Sequence, residues 1–209
     1  MINEGYSPGK GADVLNHSQK LLIPPLIRNQ EQFEVWRQLK NAVETLVSIL
    51  PSDLIAEVGL NFVYALPDAL KRTDVCGIEG RITRYKDHGS LCGSLEFGAS
   101  KHVASIVLAA MSSDPGMRSA LNIRYTEKTL QACRKIGLTL GSFDRKDEPA
   151  DMSSTMEWGT KKAITTAGSV PDIISDTGAV GKEPMIRVLG RNPLEVLAKI
   201  KKIVTISYP

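Results

Sequence analysis

The sequence predicts an α/β fold in which helices cover a central sheet that is mixed and largely antiparallel. Three observations carry this expectation. Residues 31–50 place Trp36, Leu39, Val43, Leu46, Val47 and Leu50 on one helical stripe. Residues 55–97 then break into short apolar runs separated by glycine, the texture of strands joined by tight connections and hence paired antiparallel. Beyond residue 100, helical and strand periodicities alternate to the C-terminus, so the chain reads as helices layered on a sheet.

Taken in order, residues 1–30 carry Pro8, Pro24 and Pro25 with Gly5, Gly9 and Gly11, and read as a linker; the folded domain is expected over 31–209. The helix over 31–50 ends at Pro51, which cannot continue a helical ladder. Strand runs follow at 61–66, 76–85 and 91–97, with residues 84–89 forming a hairpin tip between the last two. Gly98 closes the third run. Ser100 then stands at an N-cap position ahead of Val103, Ile106, Val107, Ala110 and Met111, which predicts a helix over 102–111. Thr126 caps a second helix over 127–136, stopped by Gly137. A buried strand is expected at 138–143, and a helix capped by Ser154 or Thr155 over 157–167. Further strands are expected at 172–175 and 185–189. The last helix has the clearest start: Asn192 as N-cap, Pro193 at the first position and Glu195 at the third, before Leu197, Ile200 and Val204.

Composition narrows the function. An apolar fraction of 42% over 209 residues suits a globular domain with a sizeable core. A net charge of +3 argues against a dedicated nucleic-acid binder, which concentrates basic residues on one face. The three cysteines, Cys76, Cys92 and Cys133, form no Cys-x-x-Cys pair and read as free thiols of a reducing compartment. No apolar run approaches the ~18 residues of a membrane span, and no signal-peptide pattern opens the chain. A cytoplasmic protein without membrane contact is expected. Only His17, His88 and His102 are present, too few and too scattered for a histidine-built zinc site.

Several strings combine polar groups with glycine more densely than a scaffold requires. Residues 95–104 run from a strand through Gly98 into a helix start, where unpaired N–H groups and the helix dipole favour an anion. His102 lies in that first turn, where the dipole disfavours its protonated form; the plain alternative is a surface histidine on an ordinary capped helix. Glu79-Gly80-Arg81 sits in a strand run, where a buried arginine needs an anion. Asn122-Ile123-Arg124-Tyr125 repeats that pattern. The plain alternative pairs Arg81 and Arg124 with Glu79 and Glu127. Ser142-Phe143-Asp144-Arg145 ends a strand, either as site residues or as a solvated turn. The loop from Asp176 through Gly178, Gly181, Lys182 and Glu183 to Arg187 could hold phosphate, although Glu183 after Lys182 departs from the P-loop string. Together, Arg81, Arg124, Lys182 and Arg187 in glycine-flanked strand ends point to a multiply phosphorylated ligand.

Six strings resemble the archaeal-type thiamine-phosphate synthase family. They are Glu57-Val58-Gly59-Leu60-Asn61-Phe62-Val63-Tyr64-Ala65-Leu66-Pro67, Gly77-Ile78-Glu79-Gly80-Arg81-Ile82, Phe97-Gly98-Ala99-Ser100-Lys101-His102-Val103, Asn122-Ile123-Arg124-Tyr125, Ser142-Phe143-Asp144-Arg145 and Gly181-Lys182-Glu183-Pro184-Met185-Ile186-Arg187. They fall in order across about residues 35–205. Residues 5–16 resemble the glycine-rich end of hydroxymethylpyrimidine (phosphate) kinase, which implies the second half of a fused kinase–synthase, with the kinase domain as a partner in the same chain. The resemblance implies a three-layer α/β/α fold of the class II aldolase/epimerase type. It also implies the joining of hydroxymethylpyrimidine diphosphate to hydroxyethylthiazole phosphate, with Mg²⁺ as cofactor and release of pyrophosphate. It implies Arg81 and His102 as the catalytic pair. Ser100, Lys182 and Arg187 are then candidate phosphate contacts, and Asn122, Arg124, Asp144, Arg145, Asp176, Gly181 and Glu183 candidate substrate contacts, with Asn122, Asp144 and Asp176 open to pyrimidine, thiazole or metal. A homodimer is left open. The competing function is a thiamine-phosphate-sensing domain of a transcriptional repressor, which would keep the ligand cradle and could lose the catalytic pair.

Overall fold

The computed structural model describes residues 27–149 and 154–208. The expected linker up to residue 26, the kinase-like string at 5–16 and His17 lie outside the described residues. Helix α1 (Gln30–Ile49) begins where the Asn29 side chain accepts from the Gln32 N–H, and it buries Val35, Leu39, Ala42, Val43 and Leu46. Leu39, Val43, Leu46 and, just past the helix end, Leu50 of the predicted stripe are buried; Val35 and Ala42 join them, while Trp36 and Val47 are only partly buried.

The strands are β1 (Phe62–Ala65), β2 (Val75–Ile78), β3 (Arg81–Tyr85), β4 (His88–Cys92), β5 (Leu95–Phe97), β6 (Ser119–Arg124), β7 (Leu140–Ser142), β8 (Ile173–Asp176) and β9 (Met185–Gly190). The remaining helices are α2 (Lys101–Met111), α3 (Glu127–Lys135), α4 (Thr155–Ala167) and α5 (Pro193–Ser207). Seven strands form one sheet in the order β5-β2-β1-β6-β9-β8-β7, while β3 and β4 pair separately. Within the large sheet only β7 and β8 run parallel; the other neighbours are antiparallel. The sheet is therefore mixed. Alternate residues of its central strands face opposite ways. Phe62, Tyr64, Leu121, Ile123, Ile186 and Val188 join one buried cluster with α1, α3 and α5. Val63, Ala65, Ala120, Ile174 and Leu189 join another with α2 and α4. Burial on both faces explains why these strands read as nearly continuous apolar runs.

Three expectations need correction. The runs 76–85 and 91–97 are not single strands: each breaks, at Glu79–Gly80 and at Gly93–Ser94. The cause is the contact between the breaks, since a Cβ on Gly80 would lie 1.9 Å from the Cys92 carbonyl oxygen, and Gly93 holds φ +98°. There β3 and β4 leave the sheet and fold over the start of β1, where Leu60 and Ile82 exchange backbone hydrogen bonds of 2.8 and 2.9 Å. The expected buried strand at 138–143 shrinks to β7, the edge of the sheet, where only Gly141 is buried. Ser100 occupies the N-cap position of α2 but in the left-handed region (φ +55°), and its side chain makes no cap bond.

The other helix boundaries follow their local signals. Thr126 accepts from the Thr129 N–H ahead of α3, Ser154 from Glu157 ahead of α4, and Asn192 from Glu195 ahead of α5. Among the described residues no helix is long and apolar enough to cross a membrane. All three cysteines are free, Cys76 and Cys133 buried and Cys92 exposed.

Candidate active site

A cavity of about 380 Å³ opens where the start of β3, the N-termini of α2 and α4, and the loop between β8 and β9 meet. Of the predicted site residues, Arg81, Ser100, His102, Asn122, Arg145 and Arg187 line it, as do Gly181, Lys182 and Glu183 of the loop. Arg124, Asp144 and Asp176 are not part of its wall. Arg124 ends β6 outside the lining, and the exposed Asp144 accepts from the Lys146 N–H at 2.9 Å to cap a short 3₁₀ turn.

Arg81 is placed by the broken strand. Its stem passes Gly59, where φ is +77° and a Cβ would come within 2.9 Å of the Arg81 Cβ, so only glycine leaves room. Arg81 Nη1 donates to the Gly80 carbonyl at 2.8 Å. Its pairing with Glu79 does not occur, because the Glu79 carboxylate accepts instead from the Ser94 hydroxyl at 3.3 Å. Glu127 likewise meets Arg134 at 3.4 Å and the Tyr125 hydroxyl at 3.3 Å rather than Arg124. His102 stands in the first turn of α2 at the cavity mouth. Partial burial and then the charges of Arg81, Lys101, Arg145 and Arg187 hold its imidazole below the ordinary histidine range, so it is neutral near pH 7.

The far wall is a buried ion cluster. Asp176 ends β8 with its side chain fully enclosed. Its Oδ1 accepts from Arg145 Nε at 2.7 Å and from the Gly178 N–H at 2.8 Å. Its Oδ2 accepts from Arg145 Nη2 at 3.3 Å and from Arg187 Nη1. Burial pushes the carboxyl up, but Arg187 and Arg145 together outweigh it and hold the group below the ordinary aspartate range. Asp176 thus lies enclosed behind Arg145 and Arg187, with both its oxygens already bonded. Arg187 is 2% exposed and its guanidinium lies 5.3 Å from the centre of the Phe143 ring. Two guanidiniums share one carboxylate, so the cluster presents one uncompensated positive charge to the cavity.

Glu183 is also engaged. Its carboxylate accepts from the backbone N–H groups of Glu57 at 3.1 Å and Val58 at 3.3 Å, tying the β8–β9 loop to the opposite rim. Within that loop Ala179 and Lys182 exchange backbone bonds of 3.0 and 2.9 Å, a turn tight enough that a Cβ on Gly178 would lie 2.4 Å from the Lys182 oxygen. Lys182 Nζ is half-exposed, 4.0 Å from Glu148. Asn122 spends its amide on the fold, accepting from the Asn61 N–H at 2.7 Å and donating to the Gly59 carbonyl at 3.2 Å. Sequence reasoning passes over Asn61, Lys101, Ser105 and Met156, which also line the cavity. Of these, Lys101 carries a local signal, as a cation in the first turn of α2 beside His102.

Among the described residues no three His, Cys, Asp or Glu side chains gather where a metal could sit. Glu183, the one carboxylate in the lining among the described residues, is bonded to backbone, and Asp176 behind the lining is bonded to Arg145 and Arg187. These residues do not fit a Mg²⁺ held by the protein's own carboxylates.

The family model for thiamine-phosphate synthase ThiN matches residues 38–202. The chain belongs to that family. Over 151 residues it is 47% identical to the bifunctional thiamine biosynthesis protein ThiDN of Methanocaldococcus jannaschii, covering 72% of this chain and 36% of that protein. The chain thus spans about a third of that relative's length. It is 39% identical over 154 residues to the thiamine-phosphate synthase ThiN of Methanothermobacter thermautotrophicus, covering 72% of this chain and 81% of that protein. A solved C-terminal domain of phosphomethylpyrimidine kinase superposes with a TM-score of 0.78 at 44% identity, covering 83% of this chain and 100% of that one. Membership of the ThiN family places the cavity described above in a fold whose named relatives serve thiamine biosynthesis.

Proposed function

We propose that this ThiN domain joins hydroxymethylpyrimidine diphosphate to hydroxyethylthiazole phosphate, giving thiamine phosphate and pyrophosphate. One observation carries the reading: Arg81, Lys101, Lys182 and the Arg145–Asp176–Arg187 cluster converge on one cavity between two helix N-termini, and the carboxylates beside it are already engaged. Such a cavity selects anions. In the reaction the pyrimidine CH₂–O bond breaks with its electron pair leaving on pyrophosphate, and the thiazole nitrogen supplies the pair for the new C–N bond. The chain's task is to take up charge on the leaving diphosphate and to hold the nitrogen in line with the carbon. Arg81, with a guanidinium that pairs with no carboxylate among the described residues, grips the diphosphate as a fork. The buried cluster and Lys182 hold phosphate at the other wall. Neutral His102 offers one donor and one acceptor to orient or protonate a reacting group.

Mg²⁺ belongs to this proposal as an ion brought in on the diphosphate, given the engaged carboxylates. A three-layer α/β/α sandwich of the class II aldolase/epimerase type, with a largely antiparallel sheet, is part of the same reading; helices on both faces support it. So is a kinase domain preceding this one in the full protein, supported by the bifunctional relative. A cytoplasmic setting is supported by three free thiols. The deciding experiment incubates the chain with both precursors and Mg²⁺ and measures thiamine phosphate. Formation of product at a catalytic rate is expected. Tight binding of thiamine phosphate with no turnover would overturn the synthase reading in favour of a ligand sensor.

A further inference from the structure

Asn61 precedes β1 and is 2% exposed. The β1–β2 ladder runs through Val63 opposite Gly77, and backbone pairing resumes only at Leu60 opposite Ile82. Three steps along one chain therefore face five along the other, and the chain leaves the sheet after Ile78, which still pairs with Leu95. The Asn61 side chain fills the gap. Its Oδ1 accepts from the Ile78 N–H at 3.2 Å. Its Nδ2 donates to the Ile78 carbonyl at 2.6 Å and to the Gly80 carbonyl at 3.2 Å. The amide thus stands in for a backbone partner at the point where the strand leaves the sheet. Both of its N–H bonds are spent on carbonyls, so none remains for a ligand.

The Gly80 carbonyl held by Asn61 is also the one that accepts from Arg81 Nη1 at 2.8 Å. We infer that Asn61 is a positioning residue for Arg81: by fixing the Gly80 carbonyl it fixes both the backbone from which Arg81 springs and the atom against which its guanidinium rests. Alanine leaves the Ile78 N–H and carbonyl without the Asn61 amide and the Gly80 carbonyl held by Arg81 alone, and lets the guanidinium drift by a fraction of its length. A misplacement of about 1 Å costs a reacting centre on the order of a hundredfold. Aspartate is worse placed than asparagine, because it sets an anionic oxygen against two carbonyls.

The inference rests on the synthase reading for its kinetic test, and a binding test keeps the two separable. Asn61→Ala is expected to lower kcat by about ten- to a hundredfold in the wild-type background. It is expected to change the Arg81→Ala enzyme by less than about twofold, since Arg81 is no longer there to be positioned. A purely structural Asn61 would lower the melting temperature and leave the two substitutions additive, and that result would overturn the inference while the synthase reading stood. If the wild type makes no thiamine phosphate, the synthase reading fails. The same four proteins titrated with inorganic pyrophosphate in a calorimeter then decide: loss of coupling between residues 61 and 81 overturns the inference, and coupling supports it. Should Asn61→Ala not fold, Asn61→Ser, whose hydroxyl can still hold Ile78, runs through the same cycle: coupling to residue 81 again supports the inference, and additivity overturns it.

Discussion

In the proposed reaction the Arg81 guanidinium acts twice, once as a fork for the leaving diphosphate and once as a charge that bears on His102. Removing one donor aimed at developing negative charge costs about two to three decades in turnover. Arg81→Ala should therefore lower kcat by that amount, and Arg81→Lys should recover only part of it, because an ammonium cannot grip two phosphate oxygens at once. Wild-type turnover in the alanine variant would remove Arg81 from the mechanism. The second role has its own readout. Partial burial depresses the His102 value first, and Arg81 is the foremost of the cations that add to it. Deleting that cation makes the protonated ring less costly, so the His102 value should rise in Arg81→Ala. Imidazole proton shifts followed by NMR against pH measure this, with the His102→Asn spectrum assigning the signal; an unmoved or lowered value would contradict the geometry. Arg81 and His102 are legible in the sequence because glycine beside a charge, and a histidine in a helix's first turn, are local patterns. Asn61 is not, since what defines it is the backbone 17 and 19 residues away. Glu183 is legible as a loop residue but not as a tie to Glu57 and Val58, 126 and 125 residues off.

Elements show the same divide between local and distant causes. The start of α5 can be read directly, because Asn192, Pro193 and Glu195 satisfy the first turn from within it. The breaks at Gly80 and Gly93 cannot, because each glycine is required by the other strand's carbonyl or backbone rather than by its own neighbours. Strand β7 reads as buried from its leucine and glycine content, but the strand order puts it at the sheet edge. The β8–β9 loop is legible as glycine-rich and basic, and the structure adds that its turn is held by its own backbone and by Glu183. The Lys182 side chain contributes nothing to that scaffold. Lys182→Ala should accordingly weaken binding of pyrophosphate, while its melting temperature stays within a few degrees of wild type, as for other exposed changes. Calorimetric titration and thermal melts check the two halves. Intact binding in a strongly destabilised protein would make Lys182 a structural residue instead.

At the scale of the whole molecule, the site lies where the α2–α4 layer meets the sheet, and the Arg145–Asp176–Arg187 cluster serves both fold and site. Layering can be foreseen from alternating periodicities. The convergence of residues 81, 102, 145, 182 and 187 on one cavity cannot, because it depends on strand order. The cluster ties stability to pH. Asp176 titrates below the ordinary aspartate range when folded, and near about 4 when unfolded. The sign follows: its stabilisation is fully present above pH 4 and is lost as pH falls through the folded value, because the unfolded chain then binds the proton more readily. Removing the carboxylate leaves Arg187 enclosed with its charge uncompensated, a change that costs about 3–5 kcal/mol. For a domain of this size that is a fall of roughly 6–20 °C in melting temperature at pH 7. Asp176→Asn should show most of that fall, since the amide keeps the shape but not the charge, and its melting temperature should vary less than the wild type's below pH 4. A variant that melted like wild type at pH 7, or that kept the full acid dependence, would show that the cluster is held by other contacts and that Asp176 is free to meet a ligand.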